Sequence, residues 1–599
     1  MSEDRPKAFL EVEQSVSDQI WVERLTPAQS NTALAISQTH DIPDLISRVI
    51  AARHVSLEEA GSFLNPTIRQ LLPDPASFTD MQPASQRICE AISKRQHIAI
   101  FGDYDVDGAC SSALLSRFLN HYRTSNEIYI PDRIFEGYGP NPNAIRELAE
   151  KGAKLIVCVD CGASSFEALE EAEKLGVDVV VLDHHQMGTQ LPPCLALVNP
   201  NRQDDMSAQG HLCAAGVVFL TLVAAVKHLR ETGQSEGTPN LLDWLDLVAL
   251  ATICDVVALQ GINRAFVVKG IQVMHARKNA GIVALADVAR LDGPINPYHL
   301  GFVLGPRINA GGRIGDAALG ARLLSSDDRY EVEEIARKLE SLNKERQTIE
   351  VRMLEEAISE AEAEIGNKEG PPVLVTENEA WHPGIVGLLA SRLKDRFKRP
   401  AFAIAFDGMG KGSGSGRSIA GVDLGSAVRA AVEAGILEKG GGHSMAAGLT
   451  VRREKLAELR SFLEGKMQHS VEKSRLNEKL LIDGALTARS ATLNLIDQLE
   501  HAGPYGSGHA NPIFAFPSHT VQYVQPIGQS HLRLTISSGD GAKLNAIAFR
   551  VIDTPLGDLL LASRGQPLHI AGTLGINTWR GQKKIQLRVI DAAKPGDYR

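Results

Sequence analysis

Carboxylate and imidazole side chains follow four separate apolar segments of this sequence, and their types and spacing are those of a metal site. The densest group is Asp103, Asp105 and Asp107, within IAIFGDYDVDG at residues 98–108. Like charges this close together disfavour joint ionisation unless a cation lies among them. A metal ion is the simplest explanation of the cluster, although one acid could cap the next helix while the others stay solvated.

Three further apolar segments each end in residues of the same kind. They are Asp160 after residues 155–159, Asp183, His184 and His185 after residues 177–182, and Asp255 after residues 244–254. A lone acid such as Asp255 is more often a cap or an ion-pair partner, since isolated exposed acids are common. The repetition of the pattern favours a shared metal centre over independent structural roles.

The elements that must position these residues are strands of one sheet. Residues 98–101, 128–130, 155–159 and 177–182 are short, continuous apolar runs, and helical patterns separate them. Such runs are typical of a parallel sheet that is covered on both faces. In a parallel sheet of this kind the ligand site lies at the carboxyl ends of the strands, where the acids and histidines are expected to converge.

Composition limits the class of protein. The chain has 599 residues, of which 44% are hydrophobic and 22% charged, as expected for a globular protein of several domains. It contains no run of 18 apolar residues, and its acidic, polar start predicts neither a membrane span nor a secretory signal. Seven cysteines, all in the first half, predict reduced thiols and a cytoplasmic location. Cys158 and Cys161 form a CxxC without a matching second pair, which argues against zinc.

Charge distribution leaves nucleic acid open as a partner. The net charge of −10 argues against a protein that simply coats DNA, but acidic metal ligands contribute to that total. From residue 479 to residue 599 there are 12 Lys and Arg against eight Asp and Glu, so the C-terminal fifth has the opposite sign. A local basic surface of this kind sets the field that a substrate meets.

The pattern along the chain predicts an α/β protein in five parts. Residues 1–45 are a weakly patterned segment, for which we expect partial disorder. Residues 46–325 hold the parallel-sheet domain, residues 326–370 a long connecting helix, and residues 371–470 a second α/β domain. Residues 471–599 carry short alternating strands with basic and aromatic residues, which predict a small barrel of the OB type or a structural β-domain.

Glycine-rich segments supply candidate anion-binding residues. Residues 301–317, expected to form a loop, carry Arg307 and Arg313, and arginines there are suited to phosphate contacts unless they are ordinary surface residues. Residues 411–421 carry Ser415 and Arg417, and residues 439–448 carry His443. Glycine permits a close approach of the backbone to an anion, so these residues are candidates for a phosphate pocket.

These motifs resemble those of a known superfamily. GDYDVDG at 102–108, VDCG at 159–162, DHH at 183–185 and CD at 254–255 are similar in order and context to motifs I to IV of the DHH phosphoesterases. Further segments resemble the RecJ family within that superfamily: GFVLGPRINAGGR (301–313), LNKERQ (342–347), WHPGIVGLLASRL (381–393), GSGRSIAGVDL (414–424) and GGGHSMAAGLT (440–450).

The resemblance implies a fold and an activity. The fold is a parallel-sheet DHH domain, a long connecting helix, a DHHA1-type domain and a C-terminal OB-like barrel. The activity is 5′–3′ exonucleolytic release of mononucleotides from single-stranded DNA by two-metal hydrolysis with Mn²⁺ or Mg²⁺, in DNA repair and recombination. Single-strand-binding protein and a helicase are the implied partners.

The resemblance also implies roles for individual residues. Asp105, Asp107, Asp160, His184 and Asp255 would be metal ligands, with Asp160 between the two ions. Asp103 would lie at or beside the ions, and His185 near the scissile phosphate. Arg133, Ser415 and Arg417 would hold the 5′-phosphate with His443 nearby, and Arg307 would contact the backbone at the cleaved bond.

The sequence departs from the family motifs at two places, and two alternative functions remain open. The family usually has AAGR where this chain has AGGR at 310–313, and a GNPEP-like segment where this chain has GHANP at 508–512, which leaves the DNA path over the barrel open. A DHH enzyme acting on small substrates is the nearest alternative, but such enzymes usually lack a basic C-terminal barrel. An inactive scaffold with this fold would have lost motif acids that are all present here.

Overall fold

The computed structural model describes residues 7–132, 136–233, 237–366, 369–476, 478–579 and 582–596. The chain forms two compact units. One unit combines Met1–Gln70 with Arg475–Arg599, and the other is Leu71–Ser474. Among the described residues, no helix is both long and apolar enough to cross a membrane.

The N-terminal residues are more ordered than the sequence suggested. From residue 20 to residue 71 the chain forms β1 (Ile20–Glu23), α1 (Pro27–His40), α2 (Asp44–Ala51), α3 (Leu57–Leu64) and α4 (Ile68–Leu71). Thr26 and Ser56 begin α1 and α3 with capping boxes, in which the side chain accepts from a backbone N–H three residues on. The expectation of partial disorder is therefore wrong for the described part of this segment.

A five-stranded parallel sheet forms the first half of the second unit. Its elements are α5 (Met81–Ser93), β2 (Ile98–Gly102), α6 (Val106–His121), β3 (Asn126–Tyr129), α7 (Pro142–Glu150), β4 (Leu155–Val159), α8 (Phe166–Leu175), β5 (Asp178–Leu182) and β6 (Ala196–Val198). The strand order is β3-β2-β4-β5-β6, and Phe101, Cys158 and Val181 are in register across it. The expected parallel sheet is confirmed.

Helices complete this domain. They are α9 (Ala214–Glu231), α10 (Leu245–Cys254), α11 (Gly261–His275), α12 (Ala280–Val288), α13 (Pro297–His299), α14 (Gly305–Ile314) and α15 (Leu319–Ser325). A π-helical turn, Leu300–Leu304, leads directly into α14. The sequence predicted a loop here, and that prediction is wrong. Pro306 is tolerated because it lies in the first turn of α14, and Gly305 is required because a Cβ there would lie 2.6 Å from Cys254 Sγ.

The connecting helix leads into a second sheet. The elements are α16 (Arg329–Ile365), β7 (Leu374–Asn378), α17 (Val386–Phe397), β8 (Ala401–Phe406), β9 (Lys411–Arg417), α18 (Leu424–Glu433), β10 (Lys439–Gly442), β11 (Ala446–Arg452) and α19 (Leu456–Leu476). The sheet order is β10-β11-β9-β8-β7, with only β7 and β8 parallel. The 37 residues of α16 extend about 55 Å at 1.5 Å per residue.

The alternating glycines of β9 have a packing role that the sequence did not indicate. A Cβ on Gly412 would lie 2.6 Å from the Phe406 ring, and one on Gly416 would lie 2.4 Å from the Phe402 ring. Glycine therefore lets β9 lie against the large side chains of β8, while Ser415 and Arg417 are at the alternate positions of the strand.

The C-terminal elements form a closed barrel. They are β12 (Lys479–Ile482), β13 (Gly484–Ala485), α20 (Leu493–Ala502), β14 (Phe514–Ile527), β15 (His531–Ser537), β16 (Lys543–Ala548), α21 (Pro555–Ala562), β17 (Pro567–Trp579) and β18 (Gln582–Ala593). The strands follow the order β14-β15-β16-β18-β17, and β17 pairs back with β14. The OB-like barrel is confirmed.

The N-terminal segment packs on this barrel. β1 pairs in parallel with β12, and Trp21 Nε1 donates to Asp591 Oδ2 across 2.8 Å in the interior. The five-part division remains a proposal, to which the packing adds one point. Residues 46–70, assigned to the parallel-sheet domain from the sequence, belong to the same compact unit as the barrel.

A buried charge cluster joins the two ends of the chain and generates a stability prediction. The fully buried Asp483 carboxylate accepts from Arg53 Nη1 at 2.7 Å and from the Ile513 N–H at 2.9 Å, and Arg24 Nε lies 3.2 Å away. Asp483→Ala leaves the Arg53 guanidinium buried without this partner. We expect it to destabilise the unit by about 3–5 kcal/mol, measured as faster hydrogen exchange in β12 to β18.

Glu23→Ala is the matched control. Glu23 pairs with Arg48 at 2.5 Å in the same unit, but both side chains are partly exposed. The expected cost is below about 1 kcal/mol. Equal protection of the barrel amides in both variants would contradict the prediction.

Candidate metal centre

The site is built around the turn between β2 and α6. Asp105 caps α6, because its Oδ1 accepts from the N–H groups of Asp107 at 2.9 Å and Gly108 at 3.1 Å. A Cβ on Gly108 would lie 2.3 Å from the Asp103 carbonyl oxygen. Only glycine fits there, so the DxDG spacing folds the acids of this loop into one tight turn.

Asp107 is held by the start of another helix. Its Oδ2 accepts from the Ala214 N–H at 2.6 Å and its Oδ1 from the Ala215 N–H at 2.8 Å, at the first turn of α9. These donors orient the buried carboxylate, and the positive end of the helix dipole favours its anionic form. Local sequence could not reveal this partner, which lies more than 100 residues away.

Asp160 follows β4 in a strained backbone conformation. Its φ is +61°, which is uncommon for a residue other than glycine. Tyr138 Oη donates to its carbonyl oxygen at 3.1 Å. Strain of this kind is retained where the surroundings impose it, and here it directs a buried carboxylate towards the other acids.

The two histidines after β5 have different environments. His184 Nε2 lies 3.4 Å from Asp160 Oδ1, 3.6 Å from Asp255 Oδ2 and 3.7 Å from Asp107 Oδ2. His185 Nδ1 instead lies 2.8 Å from Asp183 Oδ1, and 3.2 Å from Tyr138 Oη. His184 is therefore placed among the expected ligands, whereas His185 belongs to a hydrogen-bonded group beside them.

Asp255 completes the cluster from the end of α10. It is the C-cap of that helix, and the next residue, Val256, has a φ of +58° although it is β-branched. This backbone conformation is a second strained point at the site. The helix end thus turns sharply at the residue that reaches His184.

The structure brings all the metal ligands expected from sequence into three overlapping groups. In each group the possible ligand atoms lie within 4.8 Å of one another: Asp107, His184 and Asp255; Asp160, His184 and His185; Asp103, Asp105 and Asp160. Asp160 and His184 each belong to two groups. That overlap is the arrangement required if two cations share ligands.

The donor set fits Mn²⁺ or Mg²⁺. Carboxylate oxygens dominate, which suits both ions, and the imidazole of His184 favours Mn²⁺. Asp160 Oδ1 and Asp255 Oδ2 are buried and have no hydrogen-bond partner in the described part of the chain. Buried oxygens left in this way are costly unless a cation coordinates them.

Crowding raises the pKa of the central carboxyls. Burial, followed by the charges of neighbouring carboxylates, raises the pKa of Asp160, and the same causes raise that of Asp255 to about 9. Burial also raises the pKa of Asp107, although the nearby His184 opposes the shift. Without a cation Asp255 therefore holds a proton near neutral pH, and the raised pKa values of Asp160 and Asp107 oppose the ionisation of those carboxyls.

The neighbouring Asp183–His185 pair behaves in the opposite way. Burial alone would raise the pKa of Asp183 and lower that of His185. The hydrogen bond and charge attraction between them lower the Asp183 pKa to about 2 and raise the His185 pKa to about 9. The pair is therefore charged at neutral pH, and the His185 imidazolium is beside the carboxylate cluster.

Two residues of the site had no individual role in the prediction from sequence. Asp183 accepts from the N–H groups of Ala163, His184 and His185 and so fixes the loop after β5. Its position directly before two histidines at a strand end was an available signal. Tyr138 contacts both Asp160 and His185, and its only signal was its place between two glycines of a loop.

The candidate phosphate ligands lie in the second half of the same unit. Arg417 Nη1 donates to Ser415 Oγ at 2.9 Å, so these two residues of β9 are together. The exposed His443 lies in the turn between β10 and β11. Arg133 lies outside the described residues.

The two arginines of α14 are already engaged with the protein. Arg307 Nε pairs with Glu340 on α16 at 2.7 Å, and its Nη1 donates to the Val303 carbonyl. Arg313 Nη1 donates to the Gly384 carbonyl at 3.0 Å. A phosphate contact by Arg307 stays a prediction, and it would have to form beside the Glu340 carboxylate.

Comparison with known protein families identifies three regions. Residues 97–252 match the DHH family N-terminal domain, residues 370–469 the DHHA1 domain, and residues 482–591 the RecJ OB domain. These ranges agree with the parallel-sheet domain, the second α/β domain and the barrel.

Relatives match over most of the chain. The single-stranded-DNA-specific exonucleases RecJ of Dickeya dadantii and Escherichia coli are 36% and 35% identical, over 92% and 93% of this chain and 96% of each relative. The crystal structure of RecJ in complex with Mn²⁺ from Thermus thermophilus aligns with a TM-score of 0.78 at 27% identity, covering 95% of this chain and 78% of that one.

The raised carboxyl pKa values predict pH-dependent metal binding. Because a divalent cation must displace protons from Asp160 and Asp255, Mn²⁺ affinity should rise with pH, about tenfold per pH unit for each proton released. The rise should extend from pH 6 to about pH 9, where Asp255 loses its proton without help. Calorimetric titration in buffers of different ionisation enthalpy measures affinity and proton release together.

Asp246→Asn is the control for this titration. Asp246 is a buried acid on α10 whose pKa burial raises to about 6, but it lies outside the three ligand groups. It should leave Mn²⁺ affinity unchanged, whereas Asp255→Asn should weaken binding and reduce proton release. An affinity that is constant between pH 6 and pH 8 would contradict the prediction.

Proposed function

This chain belongs to the RecJ family of DHH exonucleases, and from that membership we propose that it hydrolyses single-stranded DNA with two Mn²⁺ or Mg²⁺ ions. The observation that carries the proposal is the buried cluster in which Asp160 and His184 each join two groups of potential ligands. A cluster of this composition is what two-metal phosphodiester hydrolysis requires.

The chemistry divides between the ions and the chain. When bound, two cations supply an activated water and stabilise charge on the attacking and leaving oxygens. Asp105, Asp107, Asp160, His184 and Asp255 would hold them, with Asp103 beside them. The attacking group would be the activated water and not a side chain, so no covalent intermediate on the protein is expected.

His185 would act on the phosphate itself. Asp183 keeps its imidazole charged near neutral pH, and Tyr138 Oη fixes the ring from another side. A positive group held in place before the substrate arrives stabilises negative charge that grows in the transition state. We therefore assign His185 to the phosphate and His184 to the ions.

We extend the proposal to 5′–3′ polarity and release of mononucleotides. Arg133, Ser415 and Arg417 would hold the 5′-phosphate, with His443 nearby. The Arg417–Ser415 hydrogen bond supports this role, because a guanidinium and a hydroxyl presented together suit a phosphate group. Arg307 would contact the backbone at the cleaved bond.

The barrel would also bind the single strand. Lys543, Lys583 and Lys584 line one exposed depression of the barrel with Asn545. OB-type barrels combine such charge with stacking to bind single strands. We further propose a role in DNA repair and recombination with single-strand-binding protein and a helicase as partners, and a cytoplasmic location, which agrees with seven free cysteines.

The decisive experiment is digestion of single strands labelled at either end. With Mn²⁺ or Mg²⁺, labelled mononucleotide should be released at the earliest times only from the 5′-labelled strand, and a chelator should stop the reaction. Blunt duplex should be degraded much more slowly. Early release from the 3′-labelled strand would overturn the polarity, and equal rates on duplex would overturn the strand specificity.

Asp160→Ala should abolish this activity without unfolding the protein. Loss of the shared ligand removes several kcal/mol of transition-state stabilisation, so the rate should fall about 10³-fold or more. Circular dichroism checks the fold. Asp178→Ala, which removes an acid at the opposite end of the sheet, should retain most activity. Full Mn²⁺-dependent activity of Asp160→Ala would exclude the proposed site.

Replacing the three barrel lysines by alanine should weaken binding to long strands but leave trinucleotide hydrolysis unchanged. If each lysine contacts one phosphate, the slope of log K against log salt should become shallower by about 2, since each contact contributes about 0.7. Lys594→Ala, also in this unit, is the control and should leave the slope unchanged. A parallel loss of trinucleotide hydrolysis would contradict the assignment of these lysines to strand binding.

A further inference from the structure

The C-terminal end of α14 touches the loop that carries the metal ligands. A Cβ on Gly312 would lie 2.8 Å from the Tyr104 carbonyl oxygen and 2.9 Å from its Cβ. Tyr104 lies between Asp103 and Asp105 in the turn after β2. The backbone of α14 is therefore in close contact with that turn, with no room for a larger residue.

The next residue of α14 touches the DHHA1-type domain. Arg313 Nη1 donates to the Gly384 carbonyl at 3.0 Å, and a Cβ on Gly384 would lie only 2.3 Å from the Arg313 carbonyl oxygen. Gly384 in turn donates its N–H to His382 Nδ1 at 3.1 Å. Arg313 is thus hydrogen-bonded to the segment before α17 through its guanidinium, and its backbone packs closely against that segment.

That segment leads within three residues to the candidate phosphate pocket. Gly387, in the first turn of α17, faces β9, because a Cβ on it would lie 3.2 Å from Arg417 Nη2 and 3.2 Å from Ser415 Oγ. The contacts from Tyr104 through Gly312, Arg313, Gly384 and Gly387 to Ser415 and Arg417 form one continuous path. This path connects the acidic metal centre with the basic Ser415–Arg417 pocket.

We propose that Arg313 is a positioning residue that fixes the separation between the metal centre and the Ser415–Arg417 pocket, and so sets the product length at one nucleotide. This inference rests on the proposed function, because it needs the 5′-phosphate to bind at Ser415 and Arg417. When the 5′ end of the strand is bound in the pocket, one phosphodiester bond lies at the metal centre, and that bond is cut. Hydrolysis is sensitive to displacements of about 1 Å, so a rigid separation selects one bond.

Loosening the connection should therefore change which bond is cut. Arg313→Met keeps the length of the side chain but removes its hydrogen bond to Gly384. The probe is a 5′-phosphorylated single strand whose first internucleotide linkage is an uncleavable methylphosphonate. The wild-type protein should stall on it, whereas Arg313→Met should cut the second linkage and release a blocked dinucleotide.

We expect dinucleotide release, relative to mononucleotide release from the unmodified strand, to rise about tenfold, as for the loss of one hydrogen bond to a charged group. Arg313→Lys, which can still donate to the Gly384 carbonyl, should return this ratio towards the wild-type value. Arg322→Met is the matched control, since Arg322 pairs with Glu331 on the exposed surface at 3.0 Å. Mn²⁺ affinity should be unchanged in Arg313→Met.

The outcomes separate this inference from the proposed function. Slower mononucleotide release from the unmodified strand, with no dinucleotide released from the blocked strand, would show a merely structural role for Arg313 and overturn the inference. If Arg313→Met does not fold, Gly384→Ala takes its place. The same release of blocked dinucleotide is expected, because the added methyl group must push the Arg313 carbonyl away. A wild-type protein that releases no mononucleotide from any single strand would overturn the proposed function, and this inference with it.

Discussion

The structure depends on one electrostatic constraint. Several carboxylates lie together in a buried pocket, where they cannot all be charged unless cations bind among them. Asp107 and Asp160 are almost completely buried, and Asp255 lies against them with a strongly raised pKa. Burying such groups without partners costs more than ordinary packing returns. Backbone donors at the start of α9 offset part of this cost for Asp107, whereas the strained turns at Asp160 and Val256 add to it. The arrangement of these carboxylates is therefore set by the fold itself.

The same few residues also contain an ion pair with the opposite behaviour. Asp183 receives three backbone N–H bonds and the His185 ring, so it stays ionised in surroundings as dry as those of Asp160. The two carboxylates differ in their hydrogen-bond partners and not in their burial. This difference separates the carboxylates whose charge needs a cation from the carboxylate that holds a charged imidazole, and it supports the different roles proposed for the two adjacent histidines.

Much of the site could be predicted from sequence because its ligands follow strands of one parallel sheet. Once 98–101, 155–159 and 177–182 are identified as strands, their ends must meet, and Asp105, Asp160 and His184 come together by topology alone. The partners of Asp107 at α9 and of Asp483 at Arg53 could not be predicted, since the residues lie 107 and 430 positions apart. Nor could the helix at Gly305–Ile314, because its composition is that of a loop and only tertiary contacts require its glycines.

In β9 and α14 glycine allows close packing, a role that the sequence did not suggest. Composition predicts that the glycines of β9 bring backbone N–H groups to an anion and that those of α14 belong to a flexible loop, yet Gly416 faces the Phe402 ring and Gly312 faces Tyr104. In both places the missing side chain lets one element lie unusually close to another. Close backbone contact is stiff, because neither partner can move without a clash. The composition that resembles a flexible loop therefore makes close backbone contacts between the acidic cluster and the proposed phosphate pocket, and these contacts would fix the distance between the two.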